Sequence, residues 1–475
     1  MTLLSLGLVT YYHLKTNRLL DNASQEWIAF DTLSKQNNEE ASALYHLTNA
    51  SSMLEKMNHR LFPLGSIPKL KNQLDNNITK HLTQAFIPSL LKDIEQVLTD
   101  PQQPYDARYR ALQIYLMLGI PKHYQANTVA TWFQERWQKD SKQIETAKKL
   151  ELLKTTFKPP FKPAPLNQQI VNDTRNYLNA LPISYLHYSL AKSYFPVDKK
   201  SIEIKGFNLA NTTVPYYFTK EGFRNIIIRL PTIAKQLSNE SWVLDKQSPY
   251  NLQELLEQAY SYDYALWWKN FIQKSMPLRV QNYQDAIHLT QLLRQSDSIN
   301  KLTTYIQEQT SPELNASSPV FNQQVASQFT DLNLISESAV HPLIHTLNEM
   351  EKFLTTISIV NDEGKTAFSI TKSRFQNVNA SNPLSLFFNQ VEQLPEPIAT
   401  WARQIANDTC FILLNDTKQY INSQWKKTVY QDYINTISKR FPFDTSQSKE
   451  VAITDFNHFF STHGLLNTFI DQYIK

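Results

Sequence analysis

Apolar positions along the chain recur every three or four residues, the period at which side chains share one face of a helix. Over residues 21–61, Trp27, Ile28, Phe30 and Leu33 make one such set, and Leu44, Leu47, Leu54 and Met57 continue it. The Pro- and Gly-bearing stretch 61–68 interrupts the pattern. A second helical run spans 70–98 around Ile78, Leu82, Phe86, Leu90, Leu91 and Ile94, with Pro88 placed to kink or split it. The sharpest signal lies at 105–121. Tyr105, Tyr109, Leu112 and Leu116 form one face, Ala111, Ile114, Tyr115 and Leu118 widen it, and Gly119-Ile120-Pro121 ends it. On pattern alone this is a core helix.

Beyond it the period changes several times. Residues 157–166 (FKPPFKPAPL) read as a stiff extended linker, with docking as a polyproline ligand the alternative. Residues 172–194 return to a helical pattern broken at Pro182, and 201–207 alternate as a short strand does. Val214-Pro215-Tyr216-Tyr217-Phe218 is an aromatic loop running into a helix that Thr219 is placed to cap. Residues 260–272 set Tyr264, Trp267, Trp268 and Phe271 on one helical arc, with Asp263 and Lys269 at its rim. The polar run 302–324 reads as a module boundary, and a helix follows around Leu343, Leu347, Met350 and Leu354. Residues 361–364 are a hairpin turn or an interhelix loop, and 386–397 break the chain again. Leu413, Leu414, Ile421, Trp425, Val429, Tyr433 and Ile437 then form a long stripe within 401–441.

That stripe leads into the densest stretch, 439–475. Pro442 holds Phe441 extended, Phe443 follows, and Asp444, Thr445 and Ser446 are turn or helix-starting residues. Val451, Asp455, His458 and Phe459 share one helical stripe, and Ile453, Phe456 and Phe460 share the next. Gly464 fits a helix stop before a last amphipathic set around Leu465, Leu466, Phe469, Ile470 and Tyr473. Core packing is the default reading of these phenyl rings. An exposed patch that contacts a partner is the alternative.

Composition narrows the classes. Seven glycines against 23 prolines leave no Gly-rich phosphate loop and argue against an all-β protein built on tight turns. One cysteine, Cys410, allows no intramolecular disulfide and no Cys-based metal site; beside Phe411 it reads as a buried thiol. A net charge of +4 is too small to be a nucleic-acid footprint. Leu3 to Val9 is apolar and is followed by Tyr11, Tyr12, His13, Lys15 and Arg18, an interfacial flank. Seven residues cannot cross a bilayer, which needs roughly 20. The run reads as the last turns of a longer membrane helix, with an ordinary buried N-terminal helix as the alternative.

Several of these stretches, taken in order, resemble the IcmF/TssM family. They are the 105–121 helix followed by Pro121-x-His123, Trp132 and Trp137; Val214-Pro215, Tyr217 and Thr219; Trp242-Val243-Leu244; the helix carrying Asp263, Tyr264 and Trp268; Trp425 with Val429; and Arg440-Phe441-Pro442-Phe443 through Asp455-Phe456, Phe459-Phe460 and Gly464. Phe218 stands where the family pattern has Tyr, which keeps bulk and loses a hydroxyl. The resemblance implies a mainly α fold: multi-helix periplasmic domains, a small β element near 201–220, and the end of a transmembrane helix in front. The expected organisation is a membrane-exit segment at 1–20, a helical domain at 21–156, a Pro-rich linker at 157–167, a second helical region with the β element at 168–310, a polar linker and helical region at 311–385, and a C-terminal helical domain at 386–475.

The function so implied is a non-enzymatic scaffold of a bacterial secretion-system envelope complex, type IVB or type VI. The point at which the chain stops leans this expectation to the type IVB form. Implied partners are a DotU/TssL-like inner-membrane protein, periplasmic and outer-membrane core components, and inner-membrane lipid at the N-terminus. No nucleic acid, small-molecule substrate, cofactor or metal is expected. The nearest approach to a metal set is Asp455, His458 and His463, with His463 against the Gly464 stop. A cell-wall-active enzyme would need paired carboxylates or a metal in a cleft, and a helical-repeat adaptor would need a fixed period. Neither pattern is found.

Overall fold

The computed structural model describes residues 2–35, 40–58, 67–138, 143–311, 324–376 and 382–475. It is mainly α-helical, and among the described residues its strands form two antiparallel two-stranded sheets. The chain groups into two compact units, one of Met1–Tyr194 with Thr232–Leu256 and one of Phe195–Pro231 with Glu257–Lys475.

The first unit contains α1 (Thr2–Ser34), α2 (Glu40–Asn58), α3 (Ile67–His81), α4 (Ile87–Thr99), α5 (Tyr105–Gly119), α6 (Ala126–Trp137), α7 (Gln143–Thr156), α8 (Gln168–Asn179) and α9 (Ile183–Lys192). Helix α1 packs along α2, and α2 packs against α3 and α7. No helix among the described residues is long and apolar enough to cross a membrane. Pro88 does not end its helical run. The turn before it, Leu82–Phe86, opens into a π-helix, which absorbs the hydrogen bond the proline ring cannot make.

Helix α5 is buried on nearly every side, from Tyr109 through Leu118. Burial pushes the Tyr115 phenol up to about 12, and its oxygen accepts the Asn167 N–H at 2.9 Å while its proton goes to Glu95. The Pro-rich stretch is extended, as its sequence predicts, yet it does not span open space. The Ala164 N–H bonds the Leu118 carbonyl at 3.0 Å, and Phe161 packs edge-on against Phe157 and Tyr124. Gly119 makes room for this strap, since a Cβ there would lie 2.3 Å from Leu166.

The second unit opens with β1 (Lys199–Ser201), β2 (Phe207–Asn208) and β3 (Thr213–Pro215), which lead into α10 (Lys220–Asn239). Strand β1 pairs with β3, and β2 pairs with β4 (Met276–Pro277). The strand expected over 201–207 is therefore split. Gly206 sits at φ +81°, where the chain turns out of the ladder and backs onto Leu293. Then come α11 (Leu252–Lys274), α12 (Tyr283–Gln295), α13 (Ser298–Thr310), α14 (Glu337–Ser358), α15 (Glu363–Gln376), α16 (Pro383–Val391), α17 (Ile398–Trp425), α18 (Ile453–Phe460) and α19 (Leu465–Tyr473). Trp401 of α17 donates to the Ser275 carbonyl at 2.8 Å and Gln404 to the Pro277 carbonyl at 2.7 Å, which fastens β4 to that helix.

Other boundaries also move. Residues 302–310 belong to α13, with Leu302, Thr303, Ile306, Gln309 and Thr310 buried, so the polar composition there hid a core helix. Residues 312–323 and 61–66, parts of the expected breaks, lie outside the described residues. Residues 361–364 are not a hairpin: 361 and 362 end the link from α14, 363 and 364 begin α15, and the Asp362 carboxylate caps that helix by accepting the Lys365 N–H at 2.9 Å. Within 386–397 the chain is first helical, in α16, which starts on Pro383 with Asn382 as its cap. The break comes after Val391.

Candidate functional site

Six of the sequence-selected residues, Val214, Pro215, Tyr217, Thr219, Tyr264 and Trp268, meet in one place in the second unit. Val214 is fully buried in β3, Pro215 is half-buried beside it, and the Tyr216 N–H donates to the Asp198 carbonyl at 2.7 Å. One 3₁₀ turn, Tyr216–Phe218, then delivers the chain to α10. Thr219 caps that helix as expected: its hydroxyl oxygen accepts the Gly222 N–H at 3.1 Å and its proton goes to the Tyr216 carbonyl at 2.7 Å. Gly222 is obligatory in this turn, because a Cβ would fall 1.8 Å from the Tyr216 carbonyl oxygen.

Helix α11 lays Tyr260, Tyr264 and Trp268 along one face, a spacing of four that stacks side chains on successive turns. All three are fully buried, and each gives its one proton to a main-chain carbonyl. Tyr260 donates to Tyr217, Trp268 donates to Phe218 at 2.9 Å, and Tyr264 donates to Gln309 at 2.8 Å. Gln309 closes the ring, since its side-chain oxygen accepts the Lys220 N–H at 2.6 Å. Phe223 stacks on Tyr260 with centroids 5.1 Å apart, and Phe218 stacks on Trp267 at 5.1 Å. Burial raises the pKa of Tyr260 and Tyr264 far above the usual phenol value, so both are permanent donors and neither can serve as a base. Phe218 contributes its carbonyl, and a Tyr there would add nothing to that bond. Asp263 is half-buried on the same helix.

Sequence reasoning missed Gln309 because it lies in a run taken for a polar boundary. The signal was present in Ile299, Leu302 and Ile306, three buried positions at helical spacing. Trp242 does not join this cluster. It lies in the first unit, stacked on His123 with centroids 4.1 Å apart and planes within 4°. Arg175, also missed, holds the Trp242 and Val243 carbonyls at 3.0 Å each. Burial, with Lys122 beside it, lowers the His123 pKa below its ordinary 6.5.

The C-terminal selected residues form a second group. Val429, Ile437, Phe459 and Phe469 make a small buried core, flanked by Tyr433, Phe460, Leu465 and Leu466. Of Phe441, Phe443, Phe456, Phe459 and Phe460, only Phe459 is fully buried: Phe441, Phe443 and Phe456 are 44%, 41% and 44% exposed. The all-core expectation fails for these three because the turn after Pro442 and the short helix α18 leave one side of the aromatic layer uncovered. Phe443 stacks on Phe460 at 5.8 Å, and Phe456 packs on Phe460 at 5.0 Å. Pro442 is exposed between them.

Gly464 is buried but does not stop α18, which already ends at Phe460. It is the residue before α19, and a Cβ there would lie 2.7 Å from the Phe459 carbonyl oxygen. Arg440 reaches Asp455 at 2.9 Å, so the carboxylate is bound to a guanidinium, and His458 and His463 are exposed. Among the described residues no three metal-binding side chains come together. Cys410 is half-buried rather than buried, with an Arg374 N–H 3.6 Å from its sulfur.

Residues 41–311 match the family described as "IcmF-related: Intracellular multiplication and human macrophage-killing". The type VI secretion system component TssM1 of Pseudomonas aeruginosa is 21% identical over 468 residues, covering 83% of this chain and 42% of that protein. The chain thus spans less than half the length of this curated relative. Two solved structures are similar: a type VI secretion system membrane core complex, at TM-score 0.42 and 14% identity over 62% of this chain and 61% of that one, and a type VI membrane complex, at TM-score 0.37 and 14% identity over 64% and 60%. The family match takes in more than half of the sequence, including the Val214 loop, Trp242 and the Tyr264 helix, and the chain belongs to the IcmF-related family.

Proposed function

We propose that this chain is a non-enzymatic scaffold segment of a bacterial secretion-system complex in the cell envelope. The observation that carries this reading is that the aromatic cluster falls inside the family match and is internally satisfied. Tyr260, Tyr264 and Trp268 spend their protons on main-chain carbonyls, which stiffens a helix–loop–helix joint and leaves those groups no reacting role. The machine is of the type VI class, in keeping with the name of the Pseudomonas aeruginosa relative. The run from Leu3 to Val9 lies at the inner membrane, and the helices after it stand in the periplasm. Its partners are a DotU/TssL-like inner-membrane protein and the core components of the same complex.

Crosslinking mass spectrometry on native envelopes carrying the full-length protein tests this. Crosslinks from residues 440–475 to other envelope secretion components are expected. Links confined to the protein itself, together with recovery in the soluble fraction, would sink the scaffold reading.

A further inference from the structure

Helices α15 and α17 run antiparallel in the second unit. The Thr371 and Thr417 hydroxyls meet at 3.0 Å, Phe368 packs on Tyr420 at 5.6 Å, and Arg374 reaches Cys410. Between them lies an open cavity of about 360 Å³. Its walls are two matching stripes. Helix α15 supplies Phe368, Thr371, Lys372 and Phe375, and α17 supplies Leu414, Thr417, Lys418 and Ile421. Each set follows the i, i+3, i+4, i+7 rule and runs about 10.5 Å along its helix.

Two parallel stripes of this kind form a groove between helices, the shape that receives a third helix through its own i, i+3, i+4, i+7 anchors. Residues 472–475 lie along its α15 side: Tyr473 packs on Phe368 and Tyr420 at one end, and Gln376 donates to the Lys475 carbonyl at 3.3 Å at the other. Phe375 and Leu414 on the two facing walls remain open, 75% and 42% exposed.

Charge selects the occupant. Among the described residues three lysines line the groove, Lys372, Lys418 and Lys475, and no carboxylate side chain does. Lys372 gives one proton to the Gln472 carbonyl at 2.5 Å, and Lys475 is paired with Asp471 at 2.8 Å outside the lining. Lys418 is exposed on the opposite wall. We propose that this groove receives an acidic amphipathic helix of another protein, its apolar edge on Phe375, Leu414 and Ile474 and its carboxylates on Lys372 and Lys418. This goes beyond the scaffold reading and does not depend on which machine the chain serves.

The test uses the full chain and two synthetic helical peptides of about two heptads. Both carry Leu at i, i+3, i+4 and i+7; one is flanked by Glu and the other by Lys. Fluorescence anisotropy should show the Glu peptide binding at least about tenfold more tightly, with the preference shrinking as salt rises. In the Lys372→Glu/Lys418→Glu variant the preference should reverse. Leu414→Asp should weaken binding of both peptides while leaving the circular-dichroism melting midpoint in place. Equal affinity for the two peptides, or a preference that survives the charge reversal, overturns the proposal. A concentration-dependent dimer in sedimentation velocity that Leu414→Asp abolishes would also overturn it, because a second copy of this chain would then fill the groove.

Discussion

The turn at Tyr216–Thr219 is held by contacts that each admit one residue type. Gly222 has no space for a Cβ beside the Tyr216 carbonyl, so Gly222→Ala must move backbone and should cost about 3 kcal/mol or more, read as a fall in denaturant midpoint. Trp268→Phe leaves the Phe218 carbonyl buried without its donor, and a loss of about 1–3 kcal/mol is expected from that alone. An unchanged midpoint in either variant would contradict this geometry. His123 gives a pH dependence in the other unit. Its pKa is lowered in the folded chain, so the unfolded chain takes up the proton first as the solution is acidified. Its contribution is complete above its ordinary pKa of 6.5 and is lost as the pH falls below that value. Melting midpoints measured from about pH 7.5 to 5 should therefore fall more steeply for the wild type than for His123→Gln. Parallel slopes would show that burial beside Lys122 does not oppose protonation.

Helices were legible where one apolar period runs uninterrupted to a clear stop. The segment expected at 105–121 is α5, from Tyr105 to the Gly119 that Leu166 packs against. Legibility failed where polar side chains are themselves buried. Thr303, Gln309 and Thr310 made 302–310 look like a boundary, yet these residues sit inside, with Gln309 bonded to the start of α10. It failed again at 386–397, where the prolines that follow Val391 mark a break but Asn382 and Pro383 start a helix that runs to Val391. Ile306→Ala discriminates the two readings of α13. A core position should lose about 2–5 kcal/mol, whereas a residue in an exposed connector would lose almost nothing. Thermal denaturation followed by circular dichroism decides it.

The family words in the sequence name two local arrangements and leave their grouping unread. Val214, Pro215, Tyr217, Thr219, Tyr264 and Trp268 converge because a loop and a helix distant in sequence exchange carbonyls and protons, whereas Trp242, only about 20 residues beyond the loop, belongs to the other unit. Sequence order carries no term for such exchanges, since nothing in a tyrosine's identity tells which carbonyl it will reach. The C-terminal words divide differently, by exposure. Phe459 closes a small core with Val429, Ile437 and Phe469, and Phe459→Ala should cost about 3–5 kcal/mol. Phe441, Phe443 and Phe456 lie nearly half in solvent on the same layer, and substituting all three by Ser should cost far less per residue. If the chain works as a scaffold, that exposed layer is available for contact, and the triple variant should keep a melting midpoint well above that of Phe459→Ala while losing its crosslinks from 440–475 to other envelope components. Crosslinks retained by a folded triple variant would reduce the layer to a thin outer wall of the C-terminal core. Crosslinks lost only in step with the melting midpoint would mean that the partner contacts the fold as a whole and not these rings.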